Sequence, residues 1–191
     1  MHKKRYSILL MILVVGVSIM IMILPTFFTQ NISRVSLKQE LSLPLILNDT
    51  KEIKIVFFGY SGCVNICTPR LQALNKFYTT LDKSMQEKVG LEFLDISVPQ
   101  DEELPNTFAS FFNKNFKGIY LSNKVLRDYT KAFNVYFTQS LFDKTEFDHT
   151  SNLYIVKRTK NTKELRFIYT AYPFDFEQIK RDLEELQHET Y

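Results

Sequence analysis

Both cysteines of this 191-residue chain fall in one stretch, residues 56–71, which reads Val-Phe-Phe-Gly-Tyr-Ser-Gly-Cys-Val-Asn-Ile-Cys-Thr-Pro-Arg-Leu. An apolar, β-branched and aromatic run ends at Gly59, and a short polar loop follows. Thr68-Pro69 then supplies an N-cap and a first-turn proline for a helix. Cys63 and Cys67 are therefore expected where a strand hands over to a helix. Free backbone N–H groups and the positive end of a helix dipole favour thiolate over thiol there, and a spacing of four lets both sulfurs converge. The loop is expected to be exposed, so that a Cys63–Cys67 disulfide forms reversibly.

At the N-terminus, His2-Lys3-Lys4-Arg5 precedes residues 7–24, a run without charge dominated by Ile, Leu, Met and Val. A basic flank sets the N-terminus in the cytoplasm, and no small-x-small site follows the run, so a retained single-pass anchor is expected rather than a cleaved signal. The domain then sits on the extracytoplasmic side of a cytoplasmic-type membrane. The expected division is 1–25 as flank and transmembrane anchor, 26–50 as linker and lead-in strand with Leu41, Leu43, Leu45 and Leu47 alternating, and 51–191 as one domain. Net charge is +3, and three of the positive charges precede the apolar run, which excludes a nucleic-acid partner.

Along the domain, residues 51–59 read as a core strand. Leu71, Leu74, Tyr78 and Leu81 recur at helical spacing after Pro69, and residues 91–98 read as a second strand. A helix should carry Leu104, Phe108, Phe111 and Phe112 on one face. Residues 118–121 form a short strand, and Ser122 caps a helix turning Val125, Leu126, Tyr129 and Phe133 inward. An irregular, aromatic-rich stretch runs from Asn134 to Asp148-His149. Residues 152–157 and 165–170 make a hairpin, and a last helix opens with Asp175 and Gln178 in capping-box spacing, with Ile179, Leu183 and Leu186 inward. Strand and helix alternate and a hairpin closes the order, which predicts an α/β thioredoxin-like sandwich preceded by a single transmembrane helix. Five unclustered glycines exclude a phosphate-binding loop, and neither Ser61 nor Ser151 stands in a nucleophile elbow.

Of three histidines, His2 lies in the flank and His188 in the polar C-terminal tail, so His149 alone is placed to join the thiols. The pattern Phe57-Phe58-Gly59-Tyr60-Ser61-Gly62-Cys63 with Cys67, Ile96-Ser97-Val98-Pro99, Lys131-Ala132-Phe133-Asn134-Val135-Tyr136 and Asp148-His149-Thr150-Ser151 resembles the Sco/SenC family of membrane-anchored copper-binding proteins, over roughly residues 50 to 190. The resemblance implies that Cys63, Cys67 and His149 bind copper and that the protein assists loading of the CuA centre in cytochrome c oxidase subunit II. Two thiolates and an imidazole are a soft set that suits Cu(I), and with water or another oxygen they can hold Cu(II); zinc accepts the same ligands.

The loop departs from the family's Cys-Pro-Asp-x-Cys-Pro: here it is Cys63-Val64-Asn65-Ile66-Cys67-Thr68-Pro69, without the first proline and with Asn65 in place of a carboxylate. The expected function is a copper metallochaperone for cytochrome c oxidase subunit II or another copper or thiol client. The alternative is a membrane-tethered thiol-disulfide oxidoreductase in which Cys63 attacks and Cys67 resolves. Thioredoxin-type enzymes place a cis-proline opposite the pair, whereas no proline lies between Pro105 and Pro173, where Asp148-His149 stands instead. A third reading, a tethered interaction module, makes the cysteines dispensable.

Overall fold

The computed structural model describes residues 11–22, 33–43, 51–143, 146–159 and 162–189. The chain forms two compact units, 1–34 and 35–191. In the first, α1 covers residues 11–22, and its apolar side chains are exposed. No helix among the described residues is long and apolar enough to cross a membrane. The apolar run 7–24 extends on both sides of α1 into residues outside those described.

The second unit is built on six strands. These are β1 (Arg34–Glu40), β2 (Ile53–Gly59), β3 (Val89–Asp95), β4 (Phe116–Ile119), β7 (Leu153–Arg158) and β8 (Lys163–Tyr169), ordered β1-β8-β7-β2-β3-β4. Three of them, β2, β3 and β4, run parallel, while β7 is antiparallel to both β2 and β8. The helices are α2 (Cys67–Thr80), α3 (Lys83–Lys88), α4 (Leu104–Phe112), α5 (Asn123–Phe133) and α6 (Phe176–His188). A small antiparallel pair, β5 (Phe137–Gln139) and β6 (Phe147–His149), stands apart as its own sheet. This is the expected thioredoxin-like α/β sandwich.

Every residue of β2 and β3 is buried, which a parallel strand achieves only with helices on both faces. On one face Phe57 packs on Phe93 at 6.2 Å between ring centroids, and Phe93 on Phe108 of α4 at 5.4 Å. On the other, Phe58 meets Phe133 of α5 at 5.3 Å and Tyr154 of β7 at 5.7 Å. Burying such side chains is worth about 2 kcal/mol each, so the centre of the sheet is a rigid support for whatever the end of β2 carries. The aromatic stripes of α2 and α5 are core, as expected.

Several local expectations are corrected. The lead-in strand lies at Arg34–Glu40, upstream of the alternating leucines: residues 41–43 are not strand, and 44–50 lie outside the described residues. In α4, Phe111 is 83% exposed and Leu104 41%, so that face is not uniformly inward; Phe108 and Phe112 pack half-buried on the core, and Pro105 and Ala109 are buried beside them. The start of α4 sits against β4, where Gly118 is obligatory because a Cβ there would come within 1.7 Å of the Pro105 carbonyl oxygen. The stretch after Asn134 is not irregular throughout, since it folds back as β5 and β6.

Candidate metal centre

Gly59 ends β2, and the chain turns through Tyr60-Ser61-Gly62 into the cysteine loop. Gly62 has φ of 90°, a conformation that glycine adopts without steric cost. Asp95, which pairs with Gly59 in the β2/β3 register, is fully buried and holds this turn. Its carboxylate accepts from the Ser61 N–H at 2.9 Å and Oγ at 2.5 Å, and from the Ser97 N–H at 2.8 Å and Oγ at 2.6 Å. Four donors on one buried carboxylate fix both the cysteine loop and the loop leaving β3.

Cys67 is the first residue of α2, behind Ile66, which makes no side-chain cap. Thr68 is therefore not the expected N-cap; its hydroxyl instead donates to the Cys63 carbonyl at 2.9 Å, drawing the loop closed. The Cys67 N–H donates to the Cys63 sulfur at 3.3 Å, a helix-terminal donor spent on sulfur. Both cysteines are free and buried, at 2% and 0% exposure, although the loop between them is exposed as expected, at Val64, Asn65 and Ile66.

His149 closes β6, paired with Phe137, and its Nε2 lies 4.0 Å from the Cys67 sulfur. Its Nδ1 stands 3.0 Å from the Thr150 carbonyl, which only accepts, so Nδ1 carries the proton and the Nε2 lone pair faces the thiols. Beside the imidazole a shallow cleft of about 310 Å³ is lined by Tyr136, Phe137, Thr138, Asp148, His149 and Thr150.

The two thiols are unlike. A hydrogen bond from the Cys67 thiol holds Cys63 well below the ordinary thiol range, to about 3; burial opposes this, and the N–H groups of Cys67 and Ile66 assist it. Cys67 is pushed far up, first because its proton is shared with the Cys63 thiolate and then by burial. The apo pair thus holds one proton and one negative charge.

Four further residues, Tyr60 with Glu146 and Arg70 with Tyr172, adjoin the site, and none is assigned a role from the sequence. Tyr60 donates from its hydroxyl to Glu146, and its ring packs on Phe147 at 5.3 Å and edge-on to His149 at 6.1 Å. Burial, and then that carboxylate, push the Tyr60 phenol up. Arg70, one turn into α2, lies over Tyr172. The structure therefore brings Cys67 beside both Cys63 and His149, while among the described residues no group of three His, Cys, Asp or Glu is already spaced to hold a metal ion. The donor types fit a soft ion, which would draw the sulfurs and imidazole together after the Cys67 proton leaves.

The family model described as SCO1/SenC matches residues 50–186. Among solved structures, apo Sco1 from Thermus thermophilus is 24% identical, with a TM-score of 0.60, 82% of this chain covered and 92% of that one. The copper-bound ScoI of Bradyrhizobium japonicum is 17% identical, with a TM-score of 0.58 and coverage of 80% and 99%. BsSco, described as having a disulfide switch and belonging to the Sco family of cytochrome c oxidase assembly proteins, is 16% identical, with a TM-score of 0.61 and coverage of 81% and 97%. At these identities they establish a shared fold. No curated protein matches the sequence.

Proposed function

The chain belongs to the SCO1/SenC family, and from that membership we propose that it is a copper metallochaperone delivering copper to the CuA site of cytochrome c oxidase during assembly. The observation that carries the reading is the approach of the Nε2 of His149 to the Cys67 sulfur at 4.0 Å, across 82 positions of sequence, with that nitrogen's proton placed on the other side of the ring. Cys63 and Cys67 supply two thiolates and His149 a neutral imidazole, a set suited to Cu(I) and, with an added oxygen ligand, to Cu(II). Copper-bound relatives of the same fold support this reading. Tethering through the apolar run 7–24, with the domain outside the cytoplasm, is part of the proposal and is supported by the basic flank.

The test is copper titration of the full chain beside His149→Ala. The expected result is one copper per chain, with Cu(I) binding weakened and Cu(II) binding largely lost in the variant. A wild-type protein that binds no copper at micromolar metal would refute it.

A second reading, thiol-disulfide exchange, is favoured by the asymmetry of the pair: their mutual hydrogen bond pushes Cys63 down toward thiolate and Cys67 up toward thiol, as an attacking and resolving pair requires. It predicts disulfide reduction that persists in His149→Ala within about tenfold.

A further inference from the structure

Arg70 follows Cys67 by three residues on α2, a spacing that puts both on one side of the helix. Its guanidinium carbon stands 4.9 Å from the ring centroid of Tyr172, in the loop before α6, so the ring face holds the cation in place. Among the described residues the buried Nη1 has no hydrogen-bond partner. No carboxylate lies in the cysteine loop, where Asn65 stands, and two carboxylates near it are engaged elsewhere: Asp95 by Ser61 and Ser97, Glu146 by Tyr60. The guanidinium charge acts on both sulfurs, favouring their anionic forms.

We propose that Arg70, held by Tyr172, is the fixed counter-charge of the cysteine centre and biases it toward Cu(I) over Cu(II). The inference rests on the copper reading above and deepens it. Charge counting gives the reason. Two thiolates, one neutral imidazole and Cu(I) sum to −1, while the same ligands around Cu(II) sum to zero. A fixed cation on the same side of α2 as Cys67 lowers the energy of the first complex and leaves the second nearly unchanged. Arg70 then determines specificity through its charge rather than as a metal ligand.

The experiment measures Cu(I) affinity by competition with a chromophoric Cu(I) chelator, and Cu(II) affinity by competition with a Cu(II) chelator, on the full chain. Wild type, Arg70→Gln, Arg70→Lys and Tyr172→Leu are compared. Arg70→Gln is expected to weaken Cu(I) binding about tenfold while Cu(II) binding stays within about twofold, a change in ratio that lowers the one-electron potential by about 59 mV. Arg70→Lys restores most of the ratio because it restores the charge, and Tyr172→Leu shifts it in the same direction as Arg70→Gln by a smaller factor. If Arg70→Gln folds poorly, Arg70→Met, which keeps the packing of the stem, reads the same ratio. A ratio unchanged by either variant, or both affinities falling together, overturns the counter-charge while leaving the copper reading intact. A wild-type chain that binds no copper overturns both.

Discussion

Gly59 stands directly against the Cys67 sulfur: a Cβ at Gly59 would lie 2.6 Å from Sγ and 2.8 Å from Cε2 of Phe93. The last residue of β2 must therefore lack a side chain for the first residue of α2 to seat its thiol. Gly59→Ala is expected to cost roughly 1–3 kcal/mol, because neither Cys67 nor the buried Phe93 ring has room to retreat. Displacing Sγ should also weaken copper binding more than tenfold. Thermal unfolding and copper competition check this together; a variant matching wild type in both would show that the contact is not limiting.

Asp95 makes a separate prediction. Replacing it with Ala strands the N–H groups and hydroxyls of Ser61 and Ser97, and should destabilise the protein by roughly 2–4 kcal/mol. Asp95→Asn keeps one acceptor and should lose about half as much. Denaturant unfolding measures both, and an alanine variant within 0.5 kcal/mol would place the loop's support elsewhere.

What the sequence disclosed and what it hid divide on physical lines. The continuous apolar runs of β2 and β3 are the pattern of a strand buried on both faces, so their place in the sheet was readable. Buried Lys54 and Glu92 sit in those same strands only because they pair at 2.9 Å, a relation between strands that single-sequence periodicity does not carry. Strands β5 and β6 are three residues each and partly exposed, too short to show any period, so the hairpin that delivers His149 read as loop. Cys63, Cys67 and His149 could be picked out because their residue types are rare in this chain. Asp95 acts through register with Gly59, and Arg70 through a ring 102 positions away, and neither has a local signature.

The unequal thiols predict a proton count. With Cys63 already a thiolate above about pH 3, and Cys67 protonated through the physiological range, Cu(I) uptake must expel the Cys67 proton alone. Close to one proton per copper should be released at about pH 7 to 8, where the imidazole ligand is already neutral, so affinity there rises with pH by about tenfold per unit and falls as pH is lowered. Calorimetry in buffers of different ionisation enthalpy gives the number directly. Release of two protons would mean that Cys63 is not held as thiolate in the apo protein.

The final prediction concerns how His149 is kept in place, since it lies on the small β5/β6 sheet rather than on the main one. That hairpin is joined to the end of β2 by Tyr60, whose hydroxyl donates to Glu146 and whose ring packs on Phe147 and His149. The two contributions are separable. Tyr60→Phe removes only the hydrogen bond to a carboxylate, a loss of about 1.5–3 kcal/mol in the attachment of the hairpin, yet leaves the aromatic surface that orients the imidazole. Amide exchange at Phe137–Gln139 should accelerate while copper affinity stays within about threefold. Tyr60→Leu removes the ring as well, so the imidazole loses its edge-on neighbour, and copper affinity should fall by about 10- to 100-fold, the range expected when the groups orienting a ligand are removed. Cu(II) should suffer more than Cu(I), because two thiolates alone still satisfy Cu(I). If Tyr60→Leu binds both ions as wild type does, the ring does not position His149, and the hairpin must be held by its own backbone pairing.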